Sequence, residues 1–208
     1  LLNINSIPAS QVLVQHFTLW IGLLGAVLAS RENKLLALTR EPLLSREKKL
    51  SVGKWIAKLI TFFVLISLAW GSWELVKIEM EYPVNIAPGI PRWLAQLIMP
   101  LGFGLIAFQV YINSYEKQIH KISLLIFSAI LVYSSYSDFL LDTIPVLYVG
   151  TFIILVALFY GSPIFVGLGG LAVLLFWYDY TPISAIPAEA YRIVVSPTLP
   201  TIPLFTLA

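Results

Sequence analysis

The chain has 208 residues, a net charge of +2 and a mean hydropathy of +0.87. Apolar residues make up 59% and charged residues 12%, about half of the ~25% charge usual in a soluble domain, and the small net charge gives no sign of a nucleic-acid partner. There is no cysteine, which excludes disulfides and thiolate metal sites, and the presence of only two histidines, His16 and His120, argues against a multi-histidine haem or metal centre.

Charge is absent from 1–30, 59–73, 93–115, 122–137 and 143–178. A soluble fold cannot be written this way, because its solvent face would lack polar residues. A membrane fold can, because lipid covers the outer face of each helix. The pattern predicts an all-α, polytopic transmembrane bundle. A spanning helix needs about 20 apolar residues, and six segments approach this: 10–30, 52–73, 93–113, 122–139, 144–160 and 163–178. The last three are short and require tilt or local thinning of the bilayer. A re-entrant hairpin made from the last two is an alternative.

In the first segment, His16 beside Gln15 is an ionisable group at membrane depth, which makes it a functional candidate. Its place within two turns of the segment end favours the plainer reading, an ordinary hydrogen bond to a neighbouring helix. Gly25 and Ala29 have small-x-x-x-small spacing, which predicts close helix packing. Glu32 between Arg31 and Lys34 predicts a local ion pair. Eight of the thirteen basic residues lie in 31–58, where Lys54 and Lys58 are placed to snorkel to headgroups. The 74–92 gap carries Lys77 and Arg92 against Glu74, Glu79 and Glu81. Lys117 and Lys121 follow the third segment, and Asp138 and Asp142 follow the fourth. The positive-inside rule then places 31–58 and 116–121 in the cytoplasm and 74–92 and 138–142 outside. Trp73 and Trp93 flank the outer gap, where Pro83, Pro88 and Pro91 predict a rigid turn.

The character of the chain changes near residue 120: charge thins out, while Gly, Pro and Ser/Thr rise. Asp138 and Asp142 read as solvated carboxylates rather than a cation site. Gly167-Leu168-Gly169-Gly170 follows no strand, so it reads as helix packing rather than a phosphate loop. Five of the thirteen prolines fall in 181–203. They exclude a continuous helix there and leave a short amphipathic turn at 188–194. The hydroxyls of Ser196, Thr198 and Thr201 lie in irregular backbone next to membrane depth, which is tolerated when it lines a polar cavity. They are the candidates for substrate or ion contact; an ordinary extracytoplasmic loop is the plainer reading. No catalytic or phosphate-binding signature is present, so the chain is not expected to be an enzyme. The start at Leu1 and the stop inside a new apolar run predict a fragment truncated at both ends.

Val14-Gln15-His16-Phe17-Thr18-Leu19-Trp20, continued through Ala26 and followed by Arg31-Glu32-Asn33-Lys34, resembles the second helix of the small membrane subunit of tripartite ATP-independent periplasmic (TRAP) transporters. The basic loop, third helix, proline-rich turn and fourth helix follow in the family's order. Gly161-Ser162-Pro163-Ile164 and Ile202-Pro203-Leu204-Phe205-Thr206-Leu207-Ala208 resemble the opening of the large membrane subunit. The resemblance implies 1–120 as small-permease scaffold, 121–143 as the linking helix of a fused form and 144–208 as the start of the large permease. It further implies sodium as coupling ion with no other cofactor, and organic acids of dicarboxylate or sialic-acid type as substrates. The partners implied are a periplasmic substrate-binding protein, the remainder of the large permease and the lipid bilayer of a bacterial inner membrane. His16, Trp20, Arg31, Glu32 and Lys34, which carry the resemblance, are the candidates for subunit or scaffold contact. A non-transport membrane anchor or assembly subunit is the alternative.

Overall fold

The computed structural model describes residues 10–32, 34–37, 47–87, 89–113, 118–135 and 145–196. Helix α1 is Ser10–Arg31 and α2 is Glu47–Glu81. Strands β1 (Asn85–Ala87) and β2 (Ile90–Pro91) form a small antiparallel hairpin. Then come α3 (Arg92–Gln96), α4 (Ile98–Ile112), α5 (Gln118–Ser135), α6 (Val146–Phe159), α7 (Ile164–Tyr178) and α8 (Ala185–Val194). The protein is an all-α helical membrane protein. Val12–Arg31, Gly53–Glu81 and Arg92–Ile112 are long and apolar enough to cross a bilayer, and α6 and α7 are shorter apolar helices.

Helix α2 is the centre of the structure. It packs against α4, α5, α6, α7 and α8. Of its spanning window 61% is buried, against 17% for α1. Two faces divide the work. Ala57, Ile60, Val64 and Leu68, at helical spacing, meet Ile154 and Ala157 of α6 and Val166, Val173 and Leu174 of α7. Leu59, Phe62 and Leu65 meet Ile106 and Ala107 of α4 and Leu124 of α5. At its 35 residues α2 rises roughly 52 Å, well beyond a ~30 Å hydrocarbon slab. The expected gap from residue 74 is therefore corrected: the helix continues to Glu81. Leu75 and Val76 are buried there, Trp70 Nε1 donates to Glu74 at 3.0 Å, and Lys77 lies over the rings of Trp70 and Trp73. Pro83 then ends the helix, since the residue before a proline avoids helical backbone.

The proline-rich turn forms the β-hairpin, with Gly89 at φ 79°. The third predicted segment is split at Leu97 into α3 and α4. Pro100 has no N–H to give the Gln96 carbonyl, so the helical ladder loses a rung at that place. Helices α6 and α7 are antiparallel and joined at Gly161, whose φ of 96° suits glycine. Close packing by small residues occurs here: a Cβ on Gly167 would meet Leu158, one on Gly170 would meet Val64 and Ile154, and one on Gly150 would meet Leu174. At Gly25 the same expectation fails, for nothing lies within 4 Å of its Cβ position. The short turn expected near residue 188 is a ten-residue helix beginning at Ala185. Pro187 fits because it sits in the first turn, where backbone N–H groups have no helical partner.

The helix ends gather into two groups. Residues 34–37, Gly53, Lys58, Asn113 and 160–164 meet at one end: Tyr160 lies against Gly53, Lys58 Nζ donates to the Asn113 carbonyl, and Ala37 bridges Pro163. Gly71, Glu79, the hairpin, α3 and α8 meet at the other. The region after residue 120 is thus packed directly on α2. Asp138 and Asp142 lie outside the described residues.

Candidate functional site

The start of α1, the end of α2, the hairpin, α3 and α8 enclose a polar cleft of about 610 Å³. Helix α1 turns Gln15 and His16 inward, and both are buried. His16 Nδ1 lies 2.6 Å from the Val12 carbonyl, one helical turn back. A carbonyl only accepts, so Nδ1 carries the proton. Nε2 pairs with the Tyr191 hydroxyl at 2.5 Å. The two rings stand 5.6 Å apart at 59°. Tyr191 on α8 is 8% exposed. Burial pushes its phenol up to about 12, Arg92 opposes that rise and Glu79 adds to it, so the hydroxyl stays protonated as a donor.

Charge in the cleft comes as two opposed pairs. Arg92 Nη1 lies 3.4 Å from Glu79 and ties α3 to α2, while Arg192 Nη2 lies 2.7 Å from Glu189 within α8. Their charges sum to zero. Gln96 is 1% exposed, and its Oε1 has no hydrogen-bond partner among the described residues. Trp20 Nε1 donates to the Ala95 carbonyl at 3.0 Å and fixes α1 against α3. Among the described residues no cluster of three or more His, Asp or Glu is placed to hold a metal ion. The cleft offers hydrogen bonds and balanced charge, which is a chemistry of binding and joining.

A second polar joint closes the opposite end. Ile164 N donates to the Leu36 carbonyl at 2.9 Å, and Ser162 Oγ donates to the Ala57 carbonyl at 3.0 Å. Thr61 Oγ1 donates to the same carbonyl at 2.7 Å and lies 3.3 Å from Ser162 Oγ. Ala57, Thr61 and Ser162 are buried, while Leu36 lies on an exposed stretch outside the helices.

The structure brings His16 and Trp20 to the cleft end of α1. Arg31, Glu32 and Lys34 lie at its other end, about 22 Å away at ~1.5 Å per residue. There Arg31 occupies the last turn of α1, where a cation suits the helix dipole. Glu32 pairs with Lys34 at 2.6 Å on an exposed surface. Ser196 follows Val195, which lines the cleft, and its N–H donates to the Ile193 carbonyl at 3.1 Å. Thr198 and Thr201 lie outside the described residues. Sequence reasoning missed Tyr191, Gln96, Thr61 and Ser162. The signal for Gln96 was a lone amide at the start of a charge-free run. Tyr191 had the amphipathic spacing of its helix.

The described residues thus form apolar helices joined by polar contacts at both ends of α2. Residues 1–119 match the family model of the DctQ component of tripartite ATP-independent periplasmic transporters. That is more than half of the chain, so the chain belongs to this family: it is a membrane component of a TRAP transporter and not an enzyme. The DctQ component works with a periplasmic binding protein and a large permease subunit. No curated protein and no solved structure matches the chain.

Proposed function

We propose that the chain joins the small-permease scaffold (1–120) to the opening of the large permease (144–208) through a linking helix in 121–143, in a sodium-coupled importer of organic acids of the bacterial inner membrane. The observation that carries this reading is the packing of α6, α7 and α8 on α2. A helix within the DctQ-matched region forms the core for the elements that follow residue 120. His16 and Trp20 act as scaffold contacts, the first to α8 and the second to α3. Arg31, Glu32 and Lys34 serve the cytoplasmic rim, and Ser196, Thr198 and Thr201 are the substrate- or ion-side hydroxyls. The periplasmic binding protein meets the face that carries the hairpin and α8, and the remainder of the large permease completes the transport path. Substrates are dicarboxylate or sialic-acid-like anions, and sodium is the only coupling group required.

The test is uptake of labelled organic acids into vesicles holding the full-length protein. Uptake is expected only with both an inward sodium gradient and the cognate binding protein. Accumulation indifferent to sodium would overturn the coupling. Accumulation indifferent to the binding protein would overturn the tripartite reading.

A further inference from the structure

The polar cleft does not end at His16. An apolar groove of about 250 Å³ adjoins it, and the two share His16 and Ile86 as wall residues. Leu13, Phe17, Trp20 and Leu94 wall this groove. From Leu13 to Trp20 it follows α1 for roughly 10 Å. Phe17 and Leu94 are exposed on the face that lipid would cover.

We propose that cleft and groove together are a site for one zwitterionic phospholipid, its headgroup in the cleft and one acyl chain along the groove. Three observations select this occupant. The cleft holds a positive and a negative member in each of two pairs, Glu79 with Arg92 and Glu189 with Arg192, and no net charge. A phosphate and an ammonium in one headgroup match that arrangement, whereas an anionic headgroup brings a charge that nothing offsets. The Gln96 Oε1 is a buried acceptor without a partner. A headgroup donor, an ammonium N–H or a hydroxyl, satisfies it, and a bare phosphate or carboxylate oxygen does not, so the charge balance is what separates the two lipids. The groove beside it has apolar walls and opens towards the lipid, so it takes a chain that a soluble zwitterion lacks. This site stands apart from transport and does not require the uptake reading to hold.

The experiment uses the full chain purified in mild detergent and stripped of lipid. It is then offered phosphatidylethanolamine, phosphatidylglycerol with the same chains, or soluble phosphoethanolamine. Native mass spectrometry reads bound lipid, and thermal unfolding reads stabilisation. One phosphatidylethanolamine per chain is expected to be retained in preference to phosphatidylglycerol. Arg192→Glu, on an exposed stretch of α8, is expected to lower that retention about tenfold, the effect of one charge-assisted hydrogen bond. Ala188→Trp, which fills the cleft, is expected to do the same with lipid-free unfolding unchanged. Equal retention of the two lipids would overturn the charge match. Stabilisation by phosphoethanolamine alone equal to that by the lipid would overturn the role of the groove. Unaltered retention in both variants would overturn the location.

Discussion

Gly71 and Gly104 are both glycines inside membrane helices, and the structure gives them opposite fates. An alanine at either position gains roughly 0.8–1.0 kcal/mol of helix propensity. At Gly104 a Cβ meets nothing within 4 Å, so Gly104→Ala is expected to stabilise by up to about 1 kcal/mol. At Gly71 the Cβ would stand 2.8 Å from the Ile183 carbonyl oxygen and 2.9 Å from Ile183 Cγ2. A side chain can swing aside, but this carbonyl belongs to the backbone leading into α8. Forcing it costs about 1–3 kcal/mol, the range of overpacked cores. The steric cost exceeds the propensity gain, so Gly71→Ala is expected to destabilise by up to about 2 kcal/mol. The assay is reversible unfolding in mixed micelles titrated with dodecyl sulfate, followed by tryptophan fluorescence. Shifts of the same sign and size in the two variants would refute the close approach of the 182–185 turn to α2.

The His16–Tyr191 bond joins α1 to α8 at membrane-interface depth. A cycle of His16→Leu and Tyr191→Phe is expected to give a coupling of about 0.6 kcal/mol and not above ~1.7, read in the same unfolding assay. Tyr191 titrates near 12 in the fold against an ordinary 10. The folded state holds this proton more tightly, so the stabilisation is complete below pH 10 and is lost as pH rises from 10 to 12. Tyr191→Phe is expected to remove that part of the alkaline slope, and an unchanged slope would contradict it. Glu32→Gln breaks an exposed pair and is expected to change stability by less than about 0.5 kcal/mol; a larger change would mean that the pair is covered in the assembled transporter.

Much of the architecture was legible because lipid and charge act on whole segments. Runs without charge marked helices 10–30, 93–113 and 163–178 to within a few residues, and the prolines at 83–91 marked a turn. What was not legible was which face of a helix meets protein. In a soluble helix a polar face answers that question, but in α2 lipid-facing and core-facing positions are equally apolar. Nothing in the residues of α2 therefore announced that it is central, or that Gly25 would find no partner while Gly167 and Gly170 would. The end of α2 was misjudged because Glu74 and Lys77 read as loop, whereas their side chains engage Trp70 and Trp73 on the same helix. The cleft was half visible. His16 stood out as an ionisable group in an apolar run. Its partner lies 175 residues away, a pairing that only tertiary structure creates.

Helices α6 and α7 have 14 and 15 residues and rise only about 21–22 Å. That is roughly 8 Å less than a ~30 Å hydrocarbon layer, whereas α2 beside them is longer than the layer is thick. A bilayer that matches the α6–α7 pair is thinner there than its ordinary ~30 Å. Since a membrane voltage falls across that layer, such thinning makes the field about a third steeper than in the surrounding bilayer. A cation moving beside Ser162 or Asp179 would traverse the same potential over a shorter path.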